Sequence, residues 1–207
     1  MALRKHNGFS LLELIMTISF ALIMAGVTFI ALKPMLYQNH LNSAYDTTLM
    51  ALRNTRNLAI TQGNEYYVNF NPGGFPAGTI QIEFQPCTCG AAAAPPVQQV
   101  ITYSIPPDVT FAVQAGFPTA NTPDGFGTGV TPIDFETIAG VPLNYVVFYP
   151  DGSAQDGLGN SVSGIVYLTQ ASSGSIYNSR AITVWGATGR IRGWRLNQMT
   201  VATWVQQ

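Results

Sequence analysis

The chain has 207 residues, of which only 9% are charged, and it contains 20 glycines and 13 prolines. This length fits one domain with an appendage rather than two full domains, and the composition favours short strands joined by turns over a helical enzyme. Residues 9–156 carry three cations and all ten acids, whereas residues 157–207 carry four arginines and no acid. Because net charge bears on partners rather than on fold, the basic C-terminal quarter indicates either an anionic partner or a solvated sheet face.

The first predicted element is an apolar helix over residues 9–32, which carries a single charge, Glu13. A helix of this length measures about 36 Å, enough to cross a hydrocarbon core of about 30 Å. Arg4 and Lys5 precede it, and basic residues on that flank keep that end in the cytoplasm. The apolar run is too long for an ordinary secretory signal peptide. A carboxylate inside a membrane segment is also by default a sign of function.

The junction before this helix, Gly-Phe-Ser-Leu-Leu-Glu-Leu at residues 8–14, resembles the type III signal of type IV prepilins and pseudopilins. The resemblance implies that a prepilin peptidase cleaves between Gly8 and Phe9 and that the new amine of Phe9 is N-methylated. It implies that Glu13 meets the N-terminal amine of a neighbouring subunit in a filament. It also implies a single pass through the inner membrane, with the globular domain outside the cytoplasm, and assembly with other pilins into a pilus or pseudopilus.

The helix is predicted to continue past the membrane as far as residue 63. Its apolar positions there fall near helical spacing, at Leu41, Tyr45, Leu49, Leu52 and Ala59. Pro34 is expected to kink the helix or to mark the membrane exit, and the Gly-Asn pair at 63–64 is expected to end it. The first half of the helix would therefore span the membrane or filament core, and the second half would pack on the domain.

From residue 65 the apolar pattern alternates with period two, which predicts strands. The predicted strands lie at 65–70, 79–85, 97–105, 109–113, 145–149, 163–169, 180–185 and 190–196. Residues 114–143 read as an irregular excursion, of a kind that is usually functional or disordered. The predicted fold class is α+β, with the long helix packed on an antiparallel β-sheet or β-sandwich. The predicted divisions are a prepilin leader at 1–8, a transmembrane and assembly helix at 9–63, and a β-rich pilin domain at 64–207.

Several segments narrow the resemblance to the GspH/FimT minor pilins. Residues 51–60 with 68–70 resemble that family's passage from helix to first strand, and residues 145–152, 181–184 and 189–191 resemble its final strands. The resemblance covers the whole chain, but the alanine-rich loop after Cys87 and the excursion at 114–143 depart from the compact family pattern. Any local function in those two segments is therefore not implied by the family.

The two cysteines, Cys87 and Cys89, are separated by one residue, which is too few for the usual zinc-knuckle spacing. In an oxidising compartment they could form a tight local disulfide, pair across subunits or remain free thiols. The two histidines, His6 and His40, lie in the leader and the long helix, and no catalytic constellation can be assembled around them. We therefore expect no enzymatic activity, no cofactor and no metal.

One basic cluster remains, the Gly-Arg-Ile-Arg run at residues 189–192. On a strand Arg190 and Arg192 would point to one face, about 7 Å apart, which roughly matches successive phosphates of a nucleic acid. Arginine suits phosphate through its planar fork of donors. The run resembles the Gly-Arg-x-Arg motif of DNA-binding FimT-type pilins. That resemblance implies that Arg190 and Arg192 contact double-stranded DNA, with Arg180 or Arg195 assisting.

The competing interpretation is structural, because a Gly-Arg pair near the last strand also occurs in family members dedicated to secretion. The chain would then be a tip or priming minor pilin, or the pseudopilin of a type II secretion system. Arg53 and Arg56, which lie on the predicted helix, are expected to matter much less for DNA binding than the arginine pair.

Overall fold

The computed structural model describes residues 10–85, 98–136, 140–170, 175–198 and 201–207. It divides into two compact units, residues 1–38 and residues 39–207. Helix α1 runs from Leu11 to Gln62, and Pro34 lies inside it without ending it. Gly63, with a φ of 66°, follows the last helical residue, as the sequence predicted for the helix end.

The first unit is the apolar part of α1. Every large apolar side chain from Leu11 to Tyr37 is exposed, with fractions between 37% and 76%. The segment is apolar all round and is long enough to span a hydrocarbon core. By length and composition, this part of the helix is able to cross a membrane.

The second unit contains the rest of α1 and, within the described residues, eleven strands. In chain order the strands are β1 (Glu65–Phe70), β2 (Thr79–Gln85), β3 (Gln98–Ser104), β4 (Ile133–Glu136), β5 (Pro142–Leu143), β6 (Tyr145–Phe148), β7 (Ala154–Gln155), β8 (Gly164–Thr169), β9 (Ser179–Val184), β10 (Ile191–Gln198) and β11 (Ala202–Gln206). They form two sheets, ordered β3-β2-β1-β6-β7 and β11-β10-β9-β8-β4-β5. All the strand pairs are antiparallel. The predicted α+β class is thus confirmed.

The main core lies between α1 and both sheets. The helix contributes a stripe of buried residues at helical spacing, namely Leu41, Ala44, Tyr45, Thr48, Ala51, Leu52, Thr55 and Ala59. Alternate residues of β1, such as Val68 and Phe70, meet this stripe from the first sheet, and Val166 and Leu168 of β8 belong to the same core from the second. The helix and the two sheets therefore share one apolar interior.

A second, smaller core covers the opposite face of the second sheet. Phe117 of the irregular excursion packs there with Tyr167 of β8 and Trp204 of β11, and the three rings lie within 6 Å of one another. Because both faces of β8 and β9 are covered, every residue of these two strands is buried. The described part of the excursion is therefore a cover for the sheet, although most of it lies outside regular strands.

One strand prediction is wrong. Residues 109–113 form no ladder, and their pairing is an isolated bridge between Thr110 and Thr169. Val109 and Phe111 are instead buried in the main core. The alternating pattern that suggested a strand therefore arises from a loop whose apolar side chains are buried. The short strands β4, β5, β7 and β11 were not predicted.

Candidate functional site

The turn between β9 and β10 forms one wall of the candidate site. The amide of Trp185 donates to the carbonyl of Arg190 at 2.9 Å and closes this turn. Gly189 has a φ of 57°, and a Cβ built there would overlap the carbonyl oxygen of Gly152. Only glycine fits such a left-handed, closely approached position. The glycine of the Gly-Arg-Ile-Arg run is therefore required by backbone packing.

Helix α1 supplies the facing wall through Arg53 and Arg56, which lie three residues apart and so share one side of the helix. The Arg56 Nε donates to the carbonyl of Gly152 at 3.1 Å, and its Nη2 donates to the carbonyl of Thr188 at 3.1 Å. One side chain thus binds the turn after β6 and the turn after β9 to the same point of the helix.

Between these walls lies an open cleft of about 670 Å³, here called the arginine cleft. Its lining residues are Arg53, Arg56, Asn57, Trp185, Thr188, Gly189, Arg190, Ile191 and Arg192. The volume is within the range of pockets that hold ligands, and four of the nine lining residues are arginines. The cleft suits an anion by its charge. The sequence prediction had separated Arg53 and Arg56 from the other two arginines.

Arg192 is held inside the cleft by an acid from the irregular excursion. Its Nη1 contacts the Asp124 Oδ1 at 2.7 Å, and its guanidinium carbon lies 5.6 Å from the centre of the Trp185 ring. The other carboxylate oxygen, Asp124 Oδ2, accepts from the Thr183 hydroxyl at 2.6 Å and from the Trp185 indole at 3.1 Å. The Asp124 side chain is only 5% exposed. The C-terminal quarter has no acid in its own sequence, and the fold places Asp124 beside it.

The other two cleft arginines are freer. Arg53 and Arg190 are both exposed. Among the ion pairs of the described residues, neither has a carboxylate partner. Arg190 precedes the first residue of β10, so it belongs to the turn rather than to the strand. Each wall of the cleft therefore presents one arginine whose guanidinium is available to solvent.

Arg180 and Arg195 lie outside the cleft lining. They face each other across β9 and β10, on the opposite side of β10 from Arg192 because strand side chains alternate. Arg180 is 4% exposed and donates to the Asn42 Oδ1 at 2.8 Å. Burial, with the neighbouring charge of Arg195, lowers the pKa of Arg180 to about 10, so the group stays charged at neutral pH. Its predicted assistance in DNA contact does not fit this buried placement, whereas Arg195 is exposed.

The remaining predicted residues are placed as follows. Glu13 is exposed in the first turn of α1. Gly8, Phe9, Cys87 and Cys89 lie outside the described residues. Within the described ranges, no group of three or more His, Cys, Asp or Glu side chains could hold a metal ion.

Sequence reasoning missed the helix wall and the tryptophan. Arg53 and Arg56 carry a recognisable signal, since each directly follows a buried helical position, Leu52 and Thr55, and so lies at the edge of the packed stripe. The position of Trp185 directly after β9 likewise places it beside the Gly-Arg-Ile-Arg turn. The contact between Arg192 and Asp124 joins residues 68 positions apart, and no local spacing reveals it.

No protein-family model matches this chain, and no curated protein matches it. Among solved structures, the chain is similar to the type IV minor pilin FimU of Pseudomonas aeruginosa, with 14% sequence identity and a TM-score of 0.42. The match covers 79% of this chain and 92% of that one. A likeness at this level assigns no function to the chain.

Proposed function

We propose that this protein is a non-enzymatic, pilin-like subunit that assembles through α1 into a type IV pilus-like filament. The observation that carries this proposal is the first unit. It is a helix apolar on every side, with a lone carboxylate, Glu13, in its first turn and the prepilin-like junction at residues 8–14 before it. An all-apolar helical surface requires lipid or other helices around it, and a filament core supplies the latter.

The same proposal includes the processing steps. A prepilin peptidase cleaves between Gly8 and Phe9, the amine of Phe9 is methylated, and the subunit waits in the inner membrane with its second unit outside the cytoplasm. Glu13 then forms an ion pair with the N-terminal amine of a neighbouring subunit, because an unpaired charge in an apolar filament core is costly.

Two measurements test the assembly proposal. Intact-mass analysis of membrane-extracted protein is expected to give a chain that begins at Phe9 and carries one methyl group. Glu13→Ala is expected to leave membrane insertion intact and to reduce the amount of subunit in sheared filaments by at least about tenfold, since a tenfold change corresponds to only about 1.4 kcal/mol. Glu65→Ala, which removes a carboxylate from β1, is the matched control. Equal incorporation of both variants would refute the role of Glu13.

For the second unit we propose binding of extracellular double-stranded DNA during natural transformation. The arginine cleft supports this function, because it gathers four arginines against one buried acid and because arginine binds phosphate well. The sequence resemblance suggests Arg190 and Arg192 as contacts, whereas Arg195 lies outside the cleft on the other side of β10. Contacts to the backbone carry no base specificity, so the subunit would take up DNA irrespective of sequence.

The test is binding of full-length protein in detergent micelles to a fluorescent duplex. Two to four phosphate contacts predict a logarithmic salt slope of about −2 to −4 and micromolar or weaker affinity for one subunit. In cells, Arg190→Gln is expected to lower transformation at unchanged filament number. If the wild-type protein does not bind DNA at low salt, the structural alternatives take its place, namely a tip or priming subunit or a type II secretion pseudopilin.

A further inference from the structure

The four arginines of the cleft are not equally able to bind a phosphate. Arg192 already has an anionic partner at 2.7 Å, the buried carboxylate of Asp124. Turning Arg192 toward a ligand would leave that carboxylate buried without its ion pair, which is strongly unfavourable. Arg192 is therefore committed within the folded chain.

Arg56 is committed in a different way. Its two hydrogen bonds at 3.1 Å satisfy the carbonyls of Gly152 and Thr188. One side of its guanidinium is closely packed, since a Cβ at either Gly152 or Gly189 would come within 3.1 Å of it. Releasing Arg56 to a ligand would remove its hydrogen bonds to both turns. Its charge contributes to the field of the cleft, but its Nε and Nη2 already donate to carbonyls of the folded chain.

Arg53 and Arg190 remain, one on each wall. Both are exposed and both line the cleft, and neither takes part in an ion pair of the described residues. We propose that these two residues form the direct phosphate contacts, so that a DNA backbone is held between helix α1 and the turn after β9. This inference rests on the proposed DNA binding and changes which residues carry it.

In this arrangement Arg192 is a positioning residue. Its ion pair with Asp124 and its contact with the Trp185 ring hold the start of β10, and therefore Arg190, at a fixed place beside the helix. The role assigned to Arg53 also reverses the expectation that the helix arginines matter little.

The experiment measures the salt dependence of duplex binding by full-length protein in detergent micelles. Arg53→Gln and Arg190→Gln are each expected to reduce the magnitude of the logarithmic slope by about 1, since each removes one phosphate contact. Arg195→Gln is the matched control, because it removes one exposed arginine charge from the same unit outside the cleft. Its slope is expected to equal that of the wild type.

The double variant Asp124→Asn with Arg192→Gln separates a positioning role from a contact. It removes both charges of the ion pair and leaves two amides that can hydrogen-bond to each other. If Arg192 only positions the turn, the double variant keeps the wild-type slope. A slope reduced by about 1 would mean that Arg192 contacts phosphate and would overturn its assignment. Thermal unfolding by circular dichroism verifies that each variant is folded.

The outcomes distinguish this inference from the function on which it rests. Absence of DNA binding by the wild type refutes both. A slope that falls with Arg190→Gln but not with Arg53→Gln leaves DNA binding standing and refutes the two-walled contact. An equal fall with Arg53→Gln and Arg195→Gln would show a diffuse effect of net charge and would also refute it.

Discussion

The two halves of helix α1 differ in whether their apolar side chains are exposed or buried within the chain. From Leu11 to Gln38 the large apolar side chains face outward on all sides. From Asn39 to Gln62 the buried residues form one stripe that packs into the main core. The helix is continuous, so the difference lies in the side chains rather than in the backbone. The second half finds its apolar partner within the chain, and the first half must find one outside it.

This contrast explains why the long helix reads so clearly from the sequence. An all-apolar run and an amphipathic run need different surroundings, and the change between them falls near Pro34. The structure places the division between its compact units after Gln38, a turn beyond the proline. Substitutions in the second half are therefore expected to act on stability, and those in the first half on association.

The largest expected effect is that of Leu52→Ala. Leu52 is fully buried, so its truncation leaves a cavity and should lower the free energy of unfolding by about 2–5 kcal/mol. Leu22→Ala removes the same atoms from a side chain that is 67% exposed, and its effect should stay within about 0.5 kcal/mol. Denaturant unfolding of the full chain in detergent, followed by tryptophan fluorescence, measures both. Similar losses for the two variants would contradict the contrast.

Two glycines, one in the packed domain and one in the exposed half of the helix, test the same contrast with a smaller expected loss of stability. A Cβ at Gly193 would overlap the hydroxyl of the buried Tyr45, whereas a Cβ at Gly26 would meet nothing within 4 Å. Gly193→Ala should therefore cost about 1–3 kcal/mol through overpacking. Gly26→Ala should cost nothing, since alanine is favoured over glycine in a helix by about 1 kcal/mol. The same unfolding assay applies, and a stable Gly193→Ala variant would show that Tyr45 can move aside.

The smallest effect on stability is expected for His40→Ala, at the start of the second half of the helix. The His40 Nδ1 lies 2.9 Å from the Asp108 Oδ1, and the Gln170 Nε2 donates to the Asp108 Oδ2 at 2.8 Å. The pair is partly exposed, so His40→Ala should lower stability by only about 0.2–1 kcal/mol.

Acid provides the independent check on that hydrogen bond. Burial alone would raise the pKa of Asp108, but hydrogen bonds from His40 and Gln170 outweigh it and hold the pKa below its usual value. The stability contributed by this carboxylate is thus fully present above about pH 4, the ordinary aspartate pKa, and is lost as the pH falls through the lower folded-state pKa. The difference between wild type and His40→Ala should shrink over that acidic range. A difference that grows there would contradict the assignment.

The spacing of apolar residues predicted helices and strands correctly where one face of the element is buried and the other is not. The strands at 65–70 and 79–85 were placed with their observed bounds, because alternation records a single covered face. The same pattern failed at 109–113, where buried Val109 and Phe111 anchor a loop. It also gave no sign of the second core, since that core requires Phe117 to reach Tyr167 across 50 positions.

The candidate site was predictable only in part, for the same reason. Arg190 and Arg192 both line the cleft, although Arg190 belongs to the turn and not to the strand on which their spacing had placed it. Which of them is free depends on Asp124, and what faces them depends on Arg53 and Arg56. These are contacts between distant parts of the chain, and they exist only once the helix and the second sheet have packed together.

The two hydrogen bonds of Arg56 make the geometry of the cleft depend on a single side chain. The turn after β6 and the turn after β9 both accept a hydrogen bond from this one guanidinium. A lysine at this position would keep the charge but offers one compact ammonium in place of a planar fork, and it could not reach both carbonyls in the same geometry. The shape of the cleft and its charge are therefore separable properties, and position 56 is where evolution or engineering could alter the first while preserving the second.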